Sequence, residues 1–321
     1  MERHERLAVA FVAIFCIGVL RNRYLKKYEP SPEQQNFKLI DQHLLKTVKN
    51  GKPNLWIHTN KEINSRNWLS FNSRNSHKLN QPYINMCVET IVKWSGDSFN
   101  VCLINDNTFH KLLDNWTIDL DKVPEPIKAR TRVLGLLRLL YKYGGVVMPN
   151  SFLMMRDMKP YHEEMLGANN CYVAELVNRN VGADYSKFFP SHKIIGAKAK
   201  CDKIKNITDY LEIQLSTDTT NETDFYGNLD RYIYKLVNNG AIHLMGGNLV
   251  GTKDTEGELV LVDDLLGEKK IKFDKNMFGV YIPKDELLKR RNFQWFLRMS
   301  KVQIISSNVI LGKLFTLSYS H

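Results

Sequence analysis

Along this chain, short apolar runs alternate with stretches whose apolar residues recur every three or four positions. "NLWIH", Asn54 to His58, is a run of the first kind and predicts a buried strand ending at a ligand-facing edge. "PYINMCVETIVKW" then sets Ile84, Cys87, Val88, Ile91 and Val92 at helical spacing behind a first-turn proline. "SFNVCLIND", Ser98 to Asp106, predicts a second strand. Residues 126–143 read as a long basic helix closed by Gly144 and Gly145, with "GVVM" as a third strand. This alternation predicts an α/β sheet with parallel strands. Further on, "CYVAELV" and "HKIIGA" precede a helix near Asp209 to Gln214. "GAIHLMGGNLVGT" predicts a strand pair joined through Gly246 and Gly247, and "GELVLVDDLLG" a strand followed by a turn. "DELLKRRNFQWFLRMSKVQII" predicts a basic aromatic helix, either packed on the main domain or lying on a membrane surface.

The N-terminus has a different pattern. "LAVAFVAIFCIGVL", Leu7 to Leu20, is fourteen residues without a charge. As a helix it spans roughly 21 Å at 1.5 Å per residue, and Arg6, Arg21 and Arg23 can snorkel to reach both interfaces of a bilayer. No small-x-small cleavage site follows Leu20, so the expectation is a retained single-pass anchor rather than a signal peptide. The excess of Lys and Arg after the segment places the large domain on the cytoplasmic side. Asn-x-Thr sequons at Asn115, Asn206 and Asn221 would matter only on the lumenal side. A polar stalk, "EPSPEQQ", and a helix over Phe37 to Val48 connect the anchor to the domain.

The 321 residues are 43% hydrophobic, enough for a sizeable core, and carry a formal net charge of +11. A basic balance suits nucleic acid, an anionic membrane or a phosphate-bearing ligand. No recognition helix, zinc finger or aromatic-studded RNA signature favours the first, and no nucleic-acid partner is expected. Five cysteines, an odd count with no pair at metal-ligand spacing, argue against a zinc site or a disulfide framework. Cys87 and Cys102 lie among apolar neighbours and read as buried thiols. The loop from Asn64 to Tyr83 is dense in Asn, Ser and Arg; Arg66, Trp68 and Phe71 are its candidates for stacking on and bonding to a sugar, against the alternative of a loop that caps the domain.

The segment "LLYKYGGVVMPNSF", Leu139 to Phe152, draws these elements together. With the Ile57–His58 strand end, the Asn105–Asp106 strand end and the helix leading into "YKYGG", the order of segments resembles the glycosyltransferases with a sugar-binding Asp-x-Asp region and the GT-A fold. That group is related to yeast mannosyltransferases and lactosylceramide galactosyltransferases, and similar sequences occur among uncharacterised proteins of large DNA viruses. The resemblance covers most of residues 50–266. It implies a GT-A-like (Rossmann-like), mostly parallel sheet flanked by helices, with Leu55, Cys102 and Val146 on adjacent strands. The domain organisation it suggests is an anchor over 1–28, a stalk and helix over 29–50, a GT-A-like domain over 51–266, and a basic, apolar extension over 267–321 packing on that domain.

The departures fall on the chemistry. Where the family has Asp-x-Asp, this chain has Pro149, Asn150 and Ser151; where the preceding helix has Asp and Arg, it has Val133 and Leu136. Hard cations want charged oxygen ligands, so neither Mg²⁺ nor Mn²⁺ is expected, and no metal ligands are assigned. By resemblance, His58, Thr59, Asn60, Asp106, Asn150 and Ser151 are the candidates for contacting a nucleotide sugar. Glu175, at a strand end, is a weak catalytic candidate. Three readings follow. The first is a non-catalytic nucleotide-sugar- or glycan-binding or assembly protein, which would work with other proteins. The second is an active, metal-independent transferase whose cations (Arg156, Lys159, Arg179, Lys193 or Lys198) replace the metal. The third is an unrelated α/β membrane-associated structural protein. A viral source would place the protein in a virion or host membrane.

Overall fold

The structure is a computed structural model and describes residues 51–59, 81–176, 189–217 and 221–320. The first strand, β1 (Asn54–His58), buries Leu55, Trp56 and Ile57. After helix α1 (Pro82–Ser95), strand β2 (Asn100–Ile104) pairs parallel with β1, Trp56 facing Cys102. Asn105 and Asp106, expected to end that strand, instead begin a 3₁₀ turn (Asp106–Thr108). The cause is local: the Asn105 side chain bonds Thr108 Oγ1 and competes with the ladder. Helix α2 (Phe109–Leu112) and the long α3 (Ile127–Tyr143) lead to β3 (Gly145–Pro149), parallel to β1 on its other side, with Leu55 beside Val146. Leu55, Cys102 and Val146 therefore lie on three adjacent parallel strands.

Two glycines make the α3-to-β3 turn possible. Gly144 and Gly145 both have positive φ, 70° and 102°, and a Cβ at Gly145 would run into the Asn54 carbonyl oxygen. β1 and β3 approach closely only because no side chain intervenes. The Trp56 indole N–H donates to the Gly144 carbonyl at 2.9 Å and pins the turn to β1.

The chain then leaves the large sheet. β4 (Phe152–Met154) pairs with β8 (Gly279–Tyr281) in a separate antiparallel ribbon. Helix α4 (Lys159–Asn169), β5 (Cys171–Glu175) and β6 (Pro190–Ala197) return to the sheet, followed by α5 (Asp202–Leu215), α6 (Glu222–Asn238) and β7 (His243–Met245). The order is β2-β1-β3-β6-β5-β7; β6 runs antiparallel to both neighbours and the other five strands are mutually parallel. The result is a mixed α/β fold with a mostly parallel six-stranded sheet flanked by helices. One core joins Trp56, Val147, Val173 and Ile195 of the sheet to Leu134 and Leu137 of α3, Ile204 of α5 and Leu229 of α6. The second joins α1 to the β4–β8 ribbon and to Phe293, Phe296, Leu297 and Phe315 near the C-terminus. Cys87 and Cys102 are buried and form no disulfide among the described residues.

Several expectations differ from the structure. The strand pair in "GAIHLMGGNLVGT" is a single short strand, β7, and Gly247–Leu249 forms a 3₁₀ turn. "GELVLVDDLLG" holds only an isolated bridge, Lys253 to Leu259, and then α7 (Val262–Leu265). Asp264 Oδ2 accepts the Leu261 N–H at 2.9 Å and starts a helix there. The basic aromatic helix is broken into α8 (Lys284–Lys289), a 3₁₀ turn (Arg291–Phe293), α9 (Gln294–Leu297) and α10 (Lys301–Ile305), with α11 (Ile310–Ser320) beyond. A capping box between Ser300 and Gln303 restarts the chain as α10. Among the described residues no helix is long and apolar enough to cross a membrane; Leu7–Leu20, the stalk and the helix expected over Phe37 to Val48 lie outside them.

Candidate functional site

The carboxyl ends of β1 and β3 face one cavity of about 700 Å³. From β1 the chain moves outward to β2 and then returns to β3 on the opposite side, so the strand order reverses between β1 and β3. In open α/β sheets that is where ligands bind, and the volume suits a small organic ligand. His58 from β1, Pro149 at the end of β3, Asn150 and Ser151 just beyond it, and Val133 and Leu136 of α3 all line it. Five cations, Arg130, Arg132, Lys193, Lys284 and Lys289, face two carboxylates, Asp230 and Asp285.

At the β1 corner, Arg132 Nε and Nη2 grip the two Asp106 oxygens at 2.8 and 2.7 Å. His58 Nε2 approaches Asp106 Oδ1 at 2.9 Å. Burial pushes the Asp106 carboxyl up, but the bonds from Arg132 and His58 outweigh it and hold the group well below the usual carboxylate range. Burial is also the main influence on His58, whose pKa is lowered despite Asp106. At neutral pH the corner is thus an ionised carboxylate, a neutral imidazole and a guanidinium whose Nη1 also reaches Glu125 at 3.2 Å.

Beyond β3, pairing of the β4–β8 ribbon brings a distant segment across the cavity. Ser151 Oγ donates to the Ile282 carbonyl at 2.7 Å, and its own carbonyl accepts the Ile282 N–H. This clamp sets α8 over the strand end, where Lys284 Nζ donates to Asn150 Oδ1 at 2.9 Å. Asn150 is 1% exposed and its Nδ2 has no hydrogen-bond partner among the described residues. A buried amide donor without an acceptor costs on the order of 1–3 kcal/mol unless a ligand or water supplies one.

The opposite wall comes from a bulge in β6. Pairing of β6 with β3 stops at Ile195 opposite Val147. Against β5, the register jumps from Ile195 beside Val173 to Ser191 beside Ala174. His192, Lys193 and Ile194 are the extra residues, and His192 and Lys193 line the cavity. Lys193 Nζ donates to Tyr281 Oη at 2.9 Å. Tyr281, with Asp285 and against the cost of burial, holds the ammonium above its ordinary pKa, so it is cationic at neutral pH. His192 Nδ1 lies 2.8 Å from Asp230 Oδ1 of α6.

The structure thus brings together His58, Asp106, Asn150 and Ser151 of the residues singled out in the sequence. Thr59 sits beside them, its Oγ1 donating to the Ile104 carbonyl at 3.2 Å. Asn60, Arg66, Trp68, Phe71 and Arg179 lie outside the described residues. Glu175 does not line the cavity: its carboxylate accepts the Gly247 N–H at 3.0 Å and the Lys253 ammonium at 2.5 Å. Of the cations proposed to replace a metal, Lys193 alone among the described ones reaches the cavity. Lys198 is exposed, Arg156 bonds Lys275 and Asn276, and Lys159 pairs with Glu163. Sequence reasoning missed Arg130, Arg132, Lys284, Lys289, His192 and Asp230. A signal for the first two existed: Ala129, Arg132, Val133, Leu136 and Leu137 recur at helical spacing, and Arg130 is 5% exposed on the same helix.

The fold and cavity define a class: an α/β protein with a cation-rich cavity at its strand ends. No protein-family model matches the chain, and no curated protein matches it. Among solved structures it is similar to a galactosyltransferase LgtC in complex with donor and acceptor sugar analogues. The identity is 9% and the TM-score 0.33, over 61% of this chain and 74% of that one. The likeness is distant and assigns no residue and no activity to this chain.

Proposed function

We propose that this protein is a glycosyltransferase-like binder of nucleotide sugars that holds the donor diphosphate with side-chain cations instead of a divalent metal. One observation carries the reading: Lys284 Nζ sits on Asn150 Oδ1, in the place where the resemblance expects a carboxylate-held metal. The residues present do not fit Mg²⁺ or Mn²⁺. Asn150 and Ser151 are neutral, their oxygens are engaged with Lys284 and Ile282, and an ammonium already sits beside them. Among the described residues no group of three or more His, Cys, Asp or Glu could hold a metal ion. A diphosphate suits the cavity better. Lys284, Lys193 and Arg132 are charged donors, Asn150 Nδ2 is a buried donor that needs an acceptor, and Val133, Leu136 and Leu137 give an apolar wall for a base or sugar ring. The excess of cations matches the basic balance of the whole chain. We further propose that Leu7–Leu20 anchors the protein in a membrane with this domain on the cytoplasmic side.

Calorimetric titration with UDP, GDP and their sugars, in EDTA and again with Mn²⁺, tests the reading. The expected result is binding of at least one nucleotide with equal affinity in both conditions, weakened about tenfold or more in Lys284→Ala, since a charge-assisted bond contributes about 1.5–3 kcal/mol. Binding that needs Mn²⁺, or no binding at all, would contradict it.

A further inference from the structure

His192 and Asp230 form a pair that phosphate binding does not use. The β6 bulge sets His192 against the cavity, and Asp230, one α6 residue on its far side, takes its Nδ1 at 2.8 Å. His192 Nε2 makes no hydrogen bond among the described residues. An ionised carboxylate on Nδ1 fixes the tautomer with the proton there and leaves Nε2 as a lone-pair acceptor, the arrangement of a general base. Asp230 is ionised: burial pushes its carboxyl up, but His192, Arg130 and Lys193 outweigh that and lower it. The titratable and charged groups lining the same cavity are His58 of β1, Arg130 and Arg132 of α3, Lys193 beside it on β6, Asp230 of α6, Tyr281 of β8, and Lys284, Asp285 and Lys289 of α8.

We propose that His192, oriented by Asp230, is the general base for glycosyl transfer from the bound nucleotide sugar, with water or a sugar hydroxyl as acceptor. The inference rests on the nucleotide-sugar reading of this cavity and adds a reaction to it. The acceptor oxygen forms a bond to the anomeric carbon and gives its proton to His192 Nε2. The bond from that carbon to the diphosphate oxygen breaks, its electron pair staying on the diphosphate beside Lys284 and Arg132. With water as acceptor, nucleotide sugar and water yield free sugar, nucleoside diphosphate and a proton. Asp230 is a positioning residue.

The test uses the full chain in EDTA with UDP-glucose, UDP-galactose, UDP-N-acetylglucosamine and GDP-mannose, following release of nucleoside diphosphate by chromatography from pH 5 to 9. Wild type is expected to turn over at least one donor, with a rate that rises with pH as a single base loses its proton. His192→Gln should lower that rate about 10²-fold or more and abolish the pH dependence. Asp230→Asn should lower it less and move the midpoint, a shift that a purely structural role would not produce. Thermal unfolding of each variant reports folding separately. If UDP or GDP binds but wild type releases nothing from any donor, the base is wrong and the binding reading stands. Equal rates in wild type and His192→Gln would overturn the proposal in the same way. Absence of binding of both UDP and GDP would overturn both.

Discussion

Replacing Asp106 with Asn removes one negative charge and nothing else of its size. In the structure that charge receives two guanidinium bonds from Arg132, at 2.8 and 2.7 Å, and faces His58 at 2.9 Å. Asparagine keeps one acceptor and turns an N–H₂ toward a donor. Each charge-assisted bond contributes about 1.5–3 kcal/mol, so the ceiling for the two guanidinium bonds is about 6 kcal/mol. Two features lower it: the side chains of Arg132 and Asp106 are 17% and 18% exposed, and Glu125 remains as a partner for Arg132. About 2–3 kcal/mol is expected, or roughly 3–5 °C in Tm for a protein of this size. The sign with pH is fixed by the depressed folded pKa of Asp106. Its contribution is fully present above the unfolded carboxylate value, about 3.9, and is lost as pH falls from there toward the folded value. Urea unfolding of both proteins at pH 7 and near pH 3 should therefore show a gap that narrows in acid. A gap below about 0.5 kcal/mol at pH 7, or one that widens in acid, would refute the reasoning.

His162 is 1% exposed, and burial holds its pKa at about 4 against 6.5 in the unfolded chain. Stability should fall by about 3 kcal/mol as pH drops from 6.5 to 4, because only the unfolded state binds the proton, and His162→Phe should flatten that slope in denaturant titrations. Gly145→Ala should abolish soluble folded protein or lower Tm by more than about 10 °C, since the new Cβ meets the Asn54 carbonyl at positive φ; near-native unfolding would count against the close β1–β3 approach. Glu175→Gln should cost about 1–3 kcal/mol through Lys253 and the Gly247 N–H yet leave nucleotide titrations within about threefold; a large loss of affinity would return Glu175 to the site. Asn115 is exposed, so in a eukaryotic host it should stay unglycosylated on a cytoplasmic domain, and a mass shift removed by glycosidase would reverse the orientation.

The central strands were legible because parallel strands buried on both faces read as unbroken apolar runs. "NLWIH" and "GVVM" are of that kind, and the Gly-Gly turn before "GVVM" marks the helix end by its own stereochemistry. Their carboxyl ends, and so His58 and Asn150, could be placed at one edge. Elements held by side-chain caps were less visible: the 3₁₀ turn at Asp106 and the broken C-terminal helices follow from hydrogen bonds between close neighbours, not from periodicity. Helices α4 and α6 were not anticipated either. The cationic half of the cavity was hidden for another reason. Lys284 meets Asn150 across 134 positions of sequence, through a ribbon whose pairing the chain does not announce. His192 and Lys193 face the cavity through a register jump that strand alternation cannot show. Arg156, Lys159 and Lys198 were chosen by sequence neighbourhood, and sequence neighbourhood was the wrong metric.

The central claim is that side-chain cations take the place of a metal on the donor diphosphate. A crystal structure of the protein grown with UDP and Mn²⁺, with anomalous data collected at the manganese edge, tests it most directly. The account predicts diphosphate oxygens within about 3 Å of Lys284 Nζ and Asn150 Nδ2, with Lys193 and Arg132 beside them and no anomalous peak between the phosphates and Asn150. A manganese peak bridging the diphosphate to this strand end, or a nucleotide bound elsewhere, would contradict it.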